Sequence, residues 1–174
     1  PGRFAHAARL WPEPCPPGAK SDERFACGLD YIILADAFRA ARPRQRDGRI
    51  RRVLVTTGGI DHYDLCSIAI RALDDALPEP VEVRAVVGPF FHTRASLVDH
   101  ARRSHHRVEL LENIVGLGDE LDASDMVICG GGVTLFEAAC LGVPSIAIAI
   151  WPLQQPSVDA LVAAGAARGI TYSD

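Results

Sequence analysis

Three consecutive glycines, Gly130, Gly131 and Gly132, close the apolar run at residues 126 to 129, and a helical pattern carrying Thr134 and Glu137 starts at once behind them. A second apolar run, residues 53 to 57, ends in Gly58 and Gly59. Glycine has no side chain and tolerates positive φ, so a ligand can come within hydrogen-bonding distance of the main chain there. The helix that follows adds unpaired N–H groups and a partial positive charge, which suits an anion such as a pyrophosphate. A tight strand-to-helix turn also uses glycine for steric reasons alone. Thr134-Leu135-Phe136-Glu137 fits the S/T-x-x-E capping box, in which Glu137 serves only the helix start. Neither G-x-G-x-x-G nor G-x-x-x-x-G-K-[ST] follows either run, so neither an NAD enzyme nor a P-loop NTPase is indicated.

The elements that would carry these turns are legible as alternation. Apolar runs predict strands near residues 52 to 56, 82 to 87, 107 to 111, 126 to 129 and 145 to 149, with a last short strand near residues 169 to 172. Between them, Leu65, Ile68, Ala69, Ala72, Leu73 and Ala76 recur at helical spacing, and further helices are predicted around residues 94 to 103, 118 to 124 and 156 to 164. The helix that begins near Thr134 has a stop: Gly142 sits where a left-handed residue belongs, and Pro144 forbids continuation. Strands of continuous apolar residues alternating with helices predict a parallel sheet covered on both faces, a doubly wound Rossmann-like α/β domain. In such sheets ligands bind outside the carboxyl ends of the strands, where strand order reverses.

The 174 residues, 48% hydrophobic, suffice for one α/β core and hardly for two. A net charge of -4 argues against a nucleic-acid surface. The five cysteines are scattered with no C-x-x-C pair, so they read as reduced thiols, and a cytoplasmic setting is expected. No apolar run is long enough to span a membrane, and the first residues lack the charged start and apolar core of a signal peptide. The opening at Pro1 reads as that of a fragment or processed chain. Six of the twelve prolines fall in residues 1 to 43 and seven arginines crowd residues 39 to 52, so residues 1 to 49 read as a leader and linker and residues 50 to 174 as the domain.

Taken together, these stretches resemble the C-terminal, nucleotide-binding half of GT-B proteins. The group in question contains the UDP-sugar hydrolase of pseudaminic acid biosynthesis and, more distantly, the UDP-GlcNAc transferases of lipid II synthesis. "GLDYIILADAFRAAR" is similar to the hydrolase segment G-P-x-Y-A-L-L-R-P-E-F, and "VLVTTGGIDHYDL" to its strand followed by G-G-[ST]-D-P. "GGGVTLFEAACLGVPSIAIAI" and "LQQPSVDALVAAGAA" resemble blocks of the wider group, so the likeness covers residues 27 to 170.

The resemblance implies a UDP-sugar site. Thr57, Gly58 and Gly59 would face the phosphates, and Gly131, Gly132, Val133 and Thr134 would supply donors opposite. Glu137 would accept from both ribose hydroxyls, for which two carboxylate oxygens are suited. Asn113 and Ile114 would bracket the uracil, and Gln154 and Gln155 would meet sugar hydroxyls. The site so implied needs no metal and no cofactor. His62 stands where the family has proline, and Leu29 and Ala35 replace the proline and arginine of the crossing segment. The catalytic histidine of the hydrolase lies in a G-x-G-H loop of the N-terminal half, and this chain has no such loop, so its catalytic residues stay unassigned. Three roles are open. The first is the UDP-sugar-holding half of a hydrolase or glycosyltransferase of surface-glycan assembly, with a further domain or a membrane-associated partner chain supplying the base. The others are a non-catalytic UDP-sugar-binding module and an interaction domain with a vestigial site.

Overall fold

A computed structural model describes residues 9 to 10, 25 to 39 and 41 to 171. The first two strands, β1 (Arg9–Leu10) and β2 (Phe25–Ala26), pair with each other in parallel, and α1 (Asp36–Arg39) follows. The remaining strands are β3 (Arg52–Thr56), β4 (Glu82–Val87), β5 (Arg107–Glu112), β6 (Met126–Gly130), β7 (Ser145–Ala149) and β8 (Ala167–Thr171). They form one six-stranded sheet in the order β5-β4-β3-β6-β7-β8, and every pair is parallel, as the alternation predicts.

The central strands are apolar on both sides because both sides are covered. Val53, Leu54 and Val55 are wholly buried. Since side chains alternate along a strand, Val53 and Val55 meet one layer and Leu54 the other. The first layer is α2 (Leu65–Ala76) and α3 (Arg94–Arg103), which bring Ile70, Leu73 and Leu97. The second is α4 (Gly118–Ala123), α5 (Val133–Cys140) and α6 (Gln155–Ala163), which bring Leu121, Leu135, Val158 and Leu161. Each such buried aliphatic side chain contributes about 1.5–3 kcal/mol. At the amino end of the two central strands, Asp125 Oδ2 accepts from the Arg51 and Arg52 amides at 2.9 and 3.0 Å, and the Asp125 amide donates back to the Arg52 carbonyl.

Helix α2 is capped by Asp61, a buried carboxylate whose oxygens accept from the Leu65 and Cys66 amides at 2.8 and 2.9 Å. Helix α5 corrects one expectation. Its N-cap is Gly132 and no side chain caps it, so Thr134 and Glu137 do not form the capping box; the helix starts too early for Thr134 to be the cap. Its end follows the expected pattern: Gly142 has φ 64°, its amide donates to Ala139, and the Val143 amide donates to Ala138.

The stretch before residue 50, expected as leader and linker, is held against the domain from residue 27 onward. Ile32, Leu34, Phe38 and Ala41 pack on the second layer. Arg46 donates to the carbonyls of Asp122, Ser124, Leu141 and Gly142, which lie at the ends of α4 and α5. Cys66, Cys129 and Cys140 are free thiols, whereas Cys27 is disulfide-bonded, which corrects its expected reduced state. Among the described residues no helix is long and apolar enough to cross a membrane.

Candidate functional site

Strand order reverses between β3 and β6, because the chain leaves β3 toward β4 and leaves β6 toward β7. Over the carboxyl ends of β3, β4 and β5 opens a cavity of about 690 Å³ whose wall includes Gly58, Gly59, Gly88, Asn113, Ile114 and Thr134. The turn after β3 is shaped by glycine. Gly58 has φ 96°, and a Cβ on Gly58 or Gly59 would meet nothing within 4 Å, so both main chains lie bare to the cavity. Gly88, from the next turn, is pressed against them: a Cβ there would sit 2.5 Å from the Gly59 carbonyl oxygen. The Phe90 amide donates to that same carbonyl at 3.1 Å and fixes the peptide.

The three glycines after β6 divide the work. Gly131 is a packing glycine: its Cβ would lie 2.8 Å from Val158 Cγ2 and 2.9 Å from Gln154 Cβ, and its amide already donates to the Ile148 carbonyl. The structure therefore withdraws Gly131 from the expected donors. Gly132 faces open space at the start of α5, and Val133 behind it is exposed. The amides that open a helix lack a carbonyl partner one turn back and together carry partial positive charge, although here the Leu135 amide already donates to the Gly132 carbonyl. Here that end of α5 adjoins the cavity through Thr134.

Thr57 is also displaced from its expected role. Its side chain is buried and its hydroxyl shares a 3.5 Å contact with Cys66 Sγ, while Thr56 lines the cavity. Burial, with the Asp61 carboxylate beside it, pushes the Cys66 thiol up to about 12, so it is inert as a nucleophile. Asn113, in the left-handed region at φ 56°, turns the chain out of β5. Ile114, Gly116 and Leu117 then form a wall with a second cavity, of about 740 Å³, behind it. Glu137 lies in that second cavity with Phe38 and Leu141, and burial raises its carboxyl above the usual glutamate range. The glutamate and the open glycines thus flank one loop from opposite sides.

Gln154 and Gln155 have local partners. Gln154 Oε1 accepts from the Ile150 amide at 3.0 Å, while Gln155 donates to Asp159 and accepts from Thr171. His62 is exposed, as a turn histidine is expected to be, and its ring meets Trp151 edge-on at 5.8 Å between centroids. A charged pair at the cavity escaped the sequence: Arg94 Nε donates to Glu112 Oε1 at 2.9 Å, and both residues line the wall. Their position was the available signal, since Glu112 ends β5 and Arg94 opens α3 at the ligand-binding edge.

What this arrangement can do chemically is hold an anion on backbone amides and a hydroxyl-rich group beside a carboxylate. No family model matches the chain. It is 28% identical to the spore coat polysaccharide biosynthesis protein SpsG of Bacillus subtilis over 138 residues, 74% of this chain and 38% of that protein. It is 24% identical to an uncharacterized protein of Methanocaldococcus jannaschii over 140 residues, 76% of this chain and 28% of that one. Among solved structures, Acinetobacter baumannii MurG superposes with a TM-score of 0.65 at 18% identity, covering 94% of this chain and 47% of MurG. The fold is that of a GT-B lobe.

A glycotransferase of kitacinnamycin superposes on the same lobe with a TM-score of 0.58 at 19% identity, over 87% of this chain and 38% of that one. The GT-B lobe spans less than half the length of each of these four proteins. Its candidate site is therefore Gly58, Gly59 and Thr134 around the first cavity, Gly132 at the open start of α5, and Asn113 and Ile114 between that cavity and Glu137.

Proposed function

We propose that this lobe holds the nucleotide of a UDP-sugar for a glycosyltransferase or nucleotide-sugar hydrolase of surface-polysaccharide assembly, with the base and the acceptor supplied by another domain or chain. The observation that carries this is the convergence of bare main chain at Gly58, Gly59 and Gly132 on the switch point of the sheet, with a half-buried Glu137 across one loop. The glycine amides and the start of α5 take the phosphates. Asn113 and Ile114 bracket the base, and Glu137 accepts from the ribose hydroxyls. The likeness to a polysaccharide biosynthesis protein favours glycan assembly as the setting. Gln154 and Gln155 serve as the sugar ligands, with their side-chain oxygens already accepting from the Ile150 amide and the Thr171 hydroxyl.

Calorimetry tests this reading. UDP should bind and uridine only weakly, and Glu137→Gln should weaken UDP by roughly 1–3 kcal/mol through loss of a charge-assisted hydrogen bond. The sign of the pH effect follows from burial. The raised Glu137 carboxyl stabilises the unliganded fold below the ordinary glutamate pKa, and that contribution is lost as pH rises through its folded value. Ribose hydroxyls favour the ionised form, so UDP should drive a proton off, and the proton count should fall in Glu137→Gln. Equal affinity for UDP and uridine, unchanged in the variant, would sink the proposal.

A further inference from the structure

At the edge of the sheet opposite the cavity, beside the amino end of β5, three metal-ligating side chains meet. Asp74 comes from the last turn of α2, and His105 and His106 from the turn between α3 and β5. One oxygen or nitrogen from each lies within 4.8 Å of the others. Asp74 Oδ1 is 3.2 Å from His105 Nδ1 and 3.9 Å from His106 Nε2. The His106 side chain is wholly buried, and its Nε2 has no hydrogen-bond partner.

The tautomers narrow what the cluster is for. His105 Nε2 stands 2.9 Å from the Leu77 carbonyl, which only accepts, so Nε2 carries the proton. The neutral ring then turns a bare Nδ1 lone pair toward a carboxylate oxygen, which a metal ion or a proton between the two relieves. A proton on Nδ1 would serve His105 and Asp74 but leave the buried His106 Nε2 orphaned, at the cost of an unmet polar group. A divalent ion would engage all three atoms. Leu77 orients His105, while the Ser104 hydroxyl at 2.7 Å and the His105 amide at 3.2 Å both donate to Asp74 Oδ1 and hold the carboxylate in place, so an ion shares that oxygen with them or takes Oδ2.

We propose that Asp74, His105 and His106 bind a transition-metal dication of the zinc class, clipping α2 to the turn that leads into β5. Two imidazoles and one carboxylate select zinc, cobalt or nickel over magnesium or calcium, with water completing the shell. Binding has one structural cost. Ligation through His106 Nε2 moves its proton to Nδ1, where the Val81 amide now reaches it at 3.3 Å, so that amide must give up a long hydrogen bond.

The test uses the whole chain after chelator treatment. Calorimetry with zinc chloride should show about one equivalent bound, and His105→Gln and Asp74→Asn should each weaken binding by about 10-fold or more, the scale on which metal shells respond to substitution. Cobalt should give the intense visible absorption of a low-coordinate ion in the native chain and lose it in His105→Gln, and the Val81 amide resonance should shift with zinc. His105 and Asp74 are partly exposed, so these variants keep the fold where a change at buried His106 would not. Zinc binding equal in the native chain and His105→Gln, or lost instead in His62→Ala, would overturn the proposal. So would a thermal midpoint that responds to pH through these histidines but not to zinc.

Discussion

Gly131 and Gly132 are adjacent and chemically identical, yet one is walled in and the other faces open space. A methyl group tells them apart. Gly131→Ala forces Cβ into Val158 and Gln154 and should lower stability by about 1–3 kcal/mol, as overpacking does. Gly132→Ala meets nothing, at a φ of -92° that any residue adopts, and gives up only a favourable N-cap residue, so urea unfolding should move by no more than about 1 kcal/mol. UDP affinity, measured beside it, should fall in Gly132→Ala. Loss of stability in both variants would mean that the glycines only make the turn. In the sequence the run was legible as a turn that bares main chain, but not the division within it, because Val158 and Gln154 are brought against Gly131 by a helix that follows a further strand. Thr57 was misplaced for a related reason: successive side chains point to opposite sides, so a one-residue difference exchanges the threonine that faces the cavity for the one that faces Cys66.

Among the elements, the strands were legible because burial on both faces requires continuous apolar runs, and the stop of α5 because left-handed backbone favours glycine. The place of the arginine-rich stretch was not. Arginine in a linker and arginine capping two helix ends look alike until the carbonyls they meet are known. Arg46 gathers orphan carbonyls from α4 and α5, and burial, with Arg44 nearby, lowers its pKa without threatening its charge. Arg46→Met keeps the stem and removes the donors, so it should cost about 1.5–3 kcal/mol, the range for hydrogen bonds from a charged group. Arg49→Met, at an exposed position, is the control and should be silent. Equal midpoints for the two variants in urea would show the clasp to be incidental.

At the scale of the molecule, the chain spans less than half of each protein it resembles, and the sequence offered no base because it holds no G-x-G-H loop of the kind the resemblance to the hydrolase called for. The chain alone should turn over no UDP-sugar above the uncatalysed rate, and adding the matching N-terminal half should restore activity, read as UDP or sugar released. Robust turnover by the lone chain, abolished in His62→Ala, would place the base at the exposed histidine beside Trp151.

The ladder between β3 and β6 is a seam that joins two triplets of strands, each built from neighbours in sequence. Asp125 latches it at the amino end, across 73 residues of chain. At the carboxyl end each glycine turn is tied to its own side: Gly59 accepts from Phe90, and Gly131 donates to Ile148. Opening fluctuations start where cross-links are fewest, so the seam should breathe from the cavity inward. A nucleotide touching Gly58 on one side and Gly132 on the other would then act as the second latch, and its departure would loosen the two halves of the lobe from each other.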